Sequence, residues 1–552
     1  MIKDYKIKIL LIIFLVFILI RLPGVSLPYH QDEWKNVNSA ESIQSAGLFF
    51  GNGHPPLMQM WFVAGHALFG ENHFRMFPLL FSLGAAILVY LIVRRRFEQR
   101  AALFATAFFT LSFYSIWGSL MTDVDGSVIP FLFLFAVYLY DKKLFPALIV
   151  VCFVGLLIKL SFILIIGTLL VDFLWDNRKI LTLQNLLEYF VGMVLFGLMY
   201  VIFLYFIQAV YPTFSISAML GHAQSYTDNL GRNWIQIIVQ GMKAIFYLSP
   251  ALLVPLLFAS KEIFKQTRVF FLYLIFGFIF YFILFDFSRG ALDKYLMFMI
   301  VPLAIISGVI IAKIFKSEDF SWKKFRWPIG LAIILTIILV AINFLPHTIM
   351  SLYPKTEWFS RVLRGHWDFL NPFNGGSGPM GFYVSFLFIV TSFIISFILG
   401  IAGLIKREWR QTCIIFILII SLAYNAIFAE ELMFGKINGS APQVLRDTVA
   451  FIKKTNSIKS VLTYNDTGNQ YLSDMKKYGG RIYATPESES GYKKKFLEFN
   501  GQYLVVDIPH LYDDGFYGKF FAKCQVLFET ASGKINGWVY NCPNSKKIID
   551  SI

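Results

Sequence analysis

The chain reads as a polytopic α-helical membrane protein of about thirteen transmembrane helices, followed by a small extracytoplasmic α/β domain. Three observations lead there. Of the 552 residues, 57% are hydrophobic and only 15% charged, whereas soluble domains carry about 25% charged residues. Apolar runs of roughly 17–25 residues recur, long enough to cross a hydrocarbon core of about 30 Å. The net charge of +15 gathers in short loops: Arg94-Arg95-Arg96, Lys142-Lys143, Arg178-Lys179, Lys261 to Arg268, Lys313 to Arg326, and Lys406 to Arg410. That is the positive-inside pattern, and it argues against the nucleic-acid partner that net charge alone would invite.

Lys3, Lys6 and Lys8 place the N-terminus inside. Helix one spans about 7–22; no small-residue cleavage site follows Ile9–Ile20, so it reads as a retained helix and not a signal peptide. An outer loop, about 23–73, follows; its apolar segment 57–69 is too short to span and reads as an interfacial helix. Helices two and three, about 74–95 and 101–118, flank the first Arg cluster, and a second outer loop covers about 119–127. Helices four to six are about 128–140, 145–159 and 161–175, and helix seven about 187–209. After an outer loop at about 211–242 come helices eight and nine, about 243–259 and 269–286, then an outer turn at 286–290. Helices ten and eleven are about 294–312 and 328–345; a loop at about 346–381 precedes helices twelve and thirteen, about 382–404 and 411–429. Every basic cluster then faces the cytoplasm. The expected division is 1–430, transmembrane and catalytic, and 431–552, soluble and extracytoplasmic.

Within 431–552, five stretches read as strands: Ser460–Tyr464, Arg481–Ala484, Tyr503–Asp507, Gln525–Glu529 and Asn536–Tyr540. Val444–Lys454 and Gly468–Lys477 read as helices, so a small, mostly parallel sheet is expected. The last two strands flank Ala531-Ser532-Gly533-Lys534 as a hairpin, with Cys524 and Cys542 standing opposite each other. They are a cross-strand disulfide in an oxidising space or two free thiols. Cys152 and Cys413, in apolar segments, read as inert small hydrophobes.

The polar residues of the outer loops carry the chemistry. Tyr29-His30-Gln31-Asp32-Glu33-Trp34 follows the first helix, and His54-Pro55-Pro56 follows soon after. Asp32 and Glu33 are either a solvated loop among interfacial aromatics or catalytic carboxylates. Thr122-Asp123-Val124-Asp125-Gly126 on the same side either caps helix four or holds a divalent ion on donor phosphates, as D-x-D acids do in metal-dependent glycosyl transfer. Lys159, Arg289 and Lys294 are snorkelling side chains or cations for a lipid-linked phosphate; Asp293 is placed to neutralise Lys294. His54 is a turn residue or a substrate contact. Arg361, Arg364 and His366 are an anion site or a solvated amphipathic segment. What favours the functional reading is that these groups share one predicted side, because ionisable residues at membrane depth are rare and usually functional.

The order of motifs resembles a known family. Asp-Glu in the first outer loop is followed by His54-Pro55-Pro56-Leu57, Leu68-Phe69-Gly70, an Arg opening the second helix (Arg75), a basic Arg-Arg-Arg-Phe end and a second-loop Asp. This resembles the GT-C membrane glycosyltransferases, in the branch of protein O-mannosyltransferases and lipid A aminoarabinose transferases. The likeness covers about 1–175, and Lys294-Tyr295 before Pro302 resembles a further basic-Tyr feature. It implies an inverting enzyme taking a sugar from a polyprenyl phosphate outside the cytoplasm, at a plasma (inner) membrane. It implies Asp32 as the catalytic carboxylate and one of Asp123 and Asp125 as the second-loop acid. His54, Lys159, Arg289, Lys294 and Tyr295 are then the expected substrate contacts. The expected partners are the polyprenyl-phosphate sugar, membrane lipids and a lipid, glycan or protein acceptor; a divalent metal on Asp123 and Asp125 is the one cofactor that the motif admits. Residues 176–285 show no family motif. Two rivals stand beside this reading. An oligosaccharyltransferase-like enzyme would carry Trp-Trp-Asp, absent here. A transporter would show repeated halves with broken helices.

Overall fold

The computed structural model describes residues 2–46, 53–179, 182–225, 233–285, 293–315, 322–349, 378–482 and 501–552 apart from 512, and also 360, 361, 363–366, 368–370, 372 and 499. Helices α1 (Ile2–Leu19), α2 (Asp32–Ala46), α3 (Pro56–Phe69) and α4 (Met76–Arg96) open the chain. Then come α5 (Gln99–Leu111), α6 (Phe113–Ser119), α7 (Val128–Asp141), α8 (Phe145–Ile158), α9 (Ile163–Asn177), α10 (Leu183–Val210) and α11 (Ile216–Ser225). They are followed by α12 (Trp234–Ile245), α13 (Pro250–Leu253), α14 (Lys261–Gln266), α15 (Arg268–Phe278), α16 (Ile300–Ile314) and α17 (Trp322–Ala341). A two-stranded pair, β1 (Phe369–Leu370) and β2 (Val384–Ser385), leads into α18 (Phe386–Ile405) and α19 (Arg410–Met433).

Among the described residues, eight helices are long and apolar enough to cross a membrane, or nine if the bent pair α5–α6 is one span; α7, α8 and Arg268–Leu284 are shorter apolar helices. Two expected spans are broken, each for a local reason. The stretch expected as helix three turns by 64° between α5 and α6, where Ser112 is extended. Helix eight, expected at 243–259, is α12, α13 and a 3-10 turn Val254–Phe258, because Pro250 and Pro255 each open a new segment instead of continuing one. Helix nine passes from α15 into a π-helical turn, Ile279–Leu284.

The bundle is built around the span Asp293–Ile314, 94% of whose apolar window is buried. It packs on α5 so closely that a Cβ on Gly308 would lie 2.5 Å from the Ala105 nitrogen. Arg21, past the end of α1, is fully buried. Its guanidinium donates to Ser119 Oγ (2.9 Å), Ser115 Oγ (3.2 Å) and the Thr110 carbonyl (3.0 Å), stapling the first helix to α5 and α6.

The basic clusters meet at one end of the bundle. Arg96 pairs with Asp141 (2.5 Å), Arg268 with Asp172 (2.7 Å) and Lys313 with Glu262 (3.6 Å). α4 runs from Arg75, beside the first-loop acids, to Arg94–Arg96, so those acids lie at its opposite end.

After α19 come α20 (Ala441–Lys454), β3 (Val461–Tyr464), α21 (Asn469–Asp474), β4 (Tyr478–Ile482), β5 (Gln502–Val506), α22 (Phe516–Phe521), β6 (Gln525–Ser532), β7 (Ile535–Asn541) and α23 (Ser545–Ile549). The sheet order is β4-β3-β5-β7-β6. β3 pairs in parallel with β4 and β5, while β5–β7 and β7–β6 are antiparallel, so the sheet is mixed where a mostly parallel one was expected. Alternation along β5 sends Leu504 and Val506 to a core with Val444, Leu445 and Ile452 of α20, and Tyr503 and Val505 to a second core with Phe520 and Phe521 of α22. Cys524 and Cys542, one step beyond the Gln525–Asn541 pair, form a disulfide with Cα atoms 4.8 Å apart.

Candidate active site

No helix is assigned from sequence at Asp32 in the first outer loop. That loop contains helix α2, and Asp32 and Glu33 open its first turn. The signal was available: acids are stabilised at the positive end of a helix dipole. The two carboxylates then part company. Asp32 is half-buried. Glu33 is fully buried, and its two oxygens take a bidentate pair from Arg75, 2.7 Å on each arm. The backbone N–H groups of Thr122 (3.3 Å) and His30 (3.4 Å) also donate to it. Burial pushes the Glu33 carboxyl up, and Arg75 and these N–H donors pull it back. Arg75 further donates to the carbonyls of Leu27 (3.3 Å), Pro28 (3.1 Å) and Leu120. One buried ion pair thus ties the start of α2 to the second outer loop.

That loop turns tightly against α6. A Cβ on Gly126 would fall 2.3 Å from the Gly118 carbonyl oxygen, so only glycine allows this approach. Trp61 Nε1 donates to the Thr122 carbonyl (2.9 Å) and the Val124 N–H to Asp123 Oδ1 (2.7 Å), holding the turn from α3 and from within. Asp123 and Asp125 are buried. Asp123 pairs with Lys294 (2.5 Å) and Asp125 with Lys159. Both ammonium groups lie over the ring of Tyr295, at 4.8 Å for Lys159 and 4.9 Å for Lys294. Burial raises both carboxyls, but for Asp123 the two lysines and the Lys294 hydrogen bond outweigh it and its net direction is down. Asp125 goes up, from burial first, with Asp123 adding and Lys159 opposing.

His54 joins this cluster. Its ring meets that of His222, on α11, edge to face at 4.9 Å. Burial, opposed by Asp123 and aided by His222, Lys159 and Lys294, lowers His54 to about 4, so it is neutral at pH 7. His222 lies in 176–285, where no motif was read; a lone histidine in a polar loop gave no signal of this contact.

Lys294 and Tyr295 stand on a 3-10 turn, Asp293–Met299. Asp293 does not neutralise Lys294, as the sequence had suggested. It accepts from Lys243 (3.0 Å) and Tyr247 (2.8 Å), and its carbonyl accepts from Tyr114. The neighbouring acid is turned inward to fix the turn, which leaves Lys294 to Asp123.

Residues 53–206 match the model of the dolichyl-phosphate-mannose-protein mannosyltransferase family. Two solved structures of ArnT from Cupriavidus metallidurans share the architecture over the whole chain. The apo form aligns at 15% identity with a TM-score of 0.54, and the form bound to undecaprenyl phosphate at 14% and 0.52. Each alignment covers 97% of this chain and 98% of the other. The chain has the fold of ArnT. Comparison with curated protein sequences finds no match.

Within that fold, His54, Asp123, Asp125, Lys159, Lys294 and Tyr295 form one cluster, with Asp32 two residues from the His30 N–H that Glu33 binds. Arg289 lies outside the described residues. Arg361 is buried while Arg364 and His366 are exposed. The expected metal fits poorly. One oxygen of each of Asp123 and Asp125 already faces an ammonium group, and the other oxygen of Asp123 accepts the Val124 N–H. Among the described residues no three His, Cys, Asp or Glu side chains are grouped to hold a metal.

Proposed function

We propose that the chain is an inverting glycosyltransferase that moves a monosaccharide from a polyprenyl-phosphate donor to an extracytoplasmic acceptor, whether lipid, glycan or protein. The observation that carries this reading is the convergence of Lys159 and Lys294 over Tyr295, beside the two acids of the second loop. Two fixed cations in a mostly buried site suit the oxygens of a sugar phosphate. The likeness to ArnT, solved with undecaprenyl phosphate, supports a polyprenyl donor.

In this reading Asp32, half-buried on the first turn of α2, is the general base. It takes the proton of the acceptor hydroxyl as that oxygen attacks the anomeric carbon. The anomeric C–O bond to phosphate breaks with its electron pair going to the phosphate, which leaves as polyprenyl phosphate. Lys159 and Lys294 meet the developing charge, and Asp123 and Asp125 hold them in place. Neutral His54 is a hydrogen-bonding contact to the donor, and Glu33 anchors the loop. The Cys524–Cys542 disulfide suits an oxidising compartment, which supports the reading of an extracytoplasmic C-terminal domain and of an active site at the outer face of the plasma (inner) membrane. A transporter reading is less well supported, because these charges gather at one end of the bundle and not at mid-depth.

The test is turnover of purified protein on a panel of undecaprenyl-phosphate monosaccharides, mannose and aminoarabinose among them, with membrane extract as acceptor. Asp32→Asn abolishes transfer while the protein stays folded. Full activity in that variant at normal expression refutes the assignment.

A further inference from the structure

The residue directly before Asp32 is held by the C-terminal sheet. Gln31 is buried and has a positive φ of 39°, a backbone conformation that glutamine rarely takes. Its Nε2 donates to the Asn465 backbone carbonyl (2.8 Å) and to Asn465 Oδ1. Asn465 and Asp466 follow β3 and also have positive φ, 54° and 59°. The Asn465 N–H is bonded to the Ile482 carbonyl at the end of β4 (2.6 Å). Asp466 accepts from Tyr478 (2.5 Å) and Arg481 (3.1 Å). The left-handed step at the end of β3 is thereby fixed by its own sheet. A strained step in one element gripping a strained step in another persists only where the surroundings over-determine it, and such places cluster at functional sites.

The grip acts on where α2 begins. The Gln31 carbonyl accepts the Lys35 N–H (3.2 Å), so the setting of Gln31 fixes the first turn of the helix. On the other side of Asp32, Glu33 is fixed by Arg75 and Thr122. Asp32 is half-buried between two buried, anchored neighbours, one tied to the sheet and one to the membrane helices.

We propose that Gln31 and Asn465 are positioning residues, and that the C-terminal domain aims the Asp32 carboxylate at the acceptor hydroxyl. This rests on the reading of Asp32 as general base. It assigns to a remote sheet a part in the rate of transfer and none in holding the donor.

Asn465→Gly makes the sharpest test. Glycine accepts the positive φ, so the fold is kept, and the carbonyl acceptor remains while Oδ1 is lost. The assay is steady-state turnover on whichever undecaprenyl-phosphate monosaccharide the unmodified enzyme accepts, with a thermal-shift titration of undecaprenyl phosphate alongside. Misplacing a reacting group by about 1 Å costs up to about a hundredfold. Asn465→Gly and Gln31→Ala should therefore lower kcat about tenfold or more, leave the donor KM and the undecaprenyl phosphate titration unchanged, and lose no further rate when combined. Asn465→Asp, which keeps an Oδ1 acceptor, should rescue most of the rate. If Asp32→Asn is inactive while Asn465→Gly and Gln31→Ala keep full kcat, the positioning role is wrong and the base assignment stands. If Asp32→Asn is active, or no donor in the panel turns over, the underlying reading falls and the inference with it. A kcat loss matched by a lower melting temperature and not rescued by Asn465→Asp means a merely structural contact and also overturns it.

Discussion

Replacing Glu33 by alanine separates anchor from catalyst. The Glu33 carboxylate is completely buried and receives two 2.7 Å bonds from Arg75, itself completely buried. Removing one partner of such a pair leaves the other charge uncompensated, at a cost of about 3–5 kcal/mol. Arg75 would retain its three carbonyl acceptors at Leu27, Pro28 and Leu120, which keeps the loss from growing larger. The N–H groups of Thr122 and His30 would lose their acceptor, adding about 1 kcal/mol. A total of about 4–6 kcal/mol is a large share of the stability of an ordinary domain. Glu33→Ala should therefore express poorly, melt earlier in detergent at pH 7, and lose activity in proportion to its folded fraction. Asp32→Asn, one residue away and half-buried, should melt like the unmodified protein and be inactive. Glu33→Leu combined with Arg75→Leu should not restore the stability, because the Leu27, Pro28 and Leu120 carbonyls would then lose their buried donor. If Glu33→Ala melts normally and is nonetheless dead, Glu33 is a catalytic acid and the division of labour argued here is wrong.

Lys159→Ala and Lys294→Ala should each weaken donor use by roughly tenfold or more, the value of a charge-assisted contact of about 1.5–3 kcal/mol; unchanged donor kinetics in both would remove the phosphate site. Gly126→Ala must displace the second loop, because its Cβ would sit 2.3 Å from the Gly118 oxygen; wild-type turnover in that variant would show that the setting of Asp123 and Asp125 is not critical. Chelator should leave turnover unaltered, since Lys159 and Lys294 already balance those acids; restoration of a chelator-sensitive rate by a divalent ion would reverse this. Acid should destabilise the fold through two histidines: burial, with Arg481 and Arg75 nearby, lowers His30 to about 3, and His54 is lowered to about 4. The unfolded chain then binds more protons below about pH 6.5, and stability falls as pH drops towards 4 by up to about 1.4 kcal/mol per unit for each histidine. A melting temperature flat from pH 7 to 4, or unaltered by His30→Gln, would contradict it.

Much of the membrane architecture was legible because the bilayer imposes a long-range constraint that sequence must satisfy. Apolar length and basic ends locate α4, α10, α18 and α19 to within a few residues. What hydropathy could not show is where a span breaks. The α5–α6 bend and the α12–α13 fragments are as apolar as a straight helix, and their breaks depend on single residues such as Ser112 and Pro250. The strands of the C-terminal sheet were readable from period-two alternation. The mixture of parallel and antiparallel pairs was not, because pairing direction is a tertiary choice.

The candidate active site shows the same limit more sharply. Asp32, Glu33, His54, Asp123, Asp125, Lys159, Arg289 and Lys294 were picked out because each is an ionisable residue where charge is costly. Yet composition alone gives Glu33 the same standing as Asp32, and Asp293 the same standing as Asp123. Only partners separate them. Glu33 and Asp293 have buried cations of their own in Arg75 and Lys243, and they hold loops in place. Asp123 and Asp125 share two lysines that meet over one tyrosine. Gln31 and Asn465 lie 434 positions apart, and neither is charged. Their contact depends on two left-handed backbone steps, one of them at a glutamine, a residue type that gives no sign of that conformation. In the proposed assignment, the acid given the chemistry and the acids given a positioning role are drawn from the same residue types in the same loops. Assigning their roles required knowing which charges were already spent.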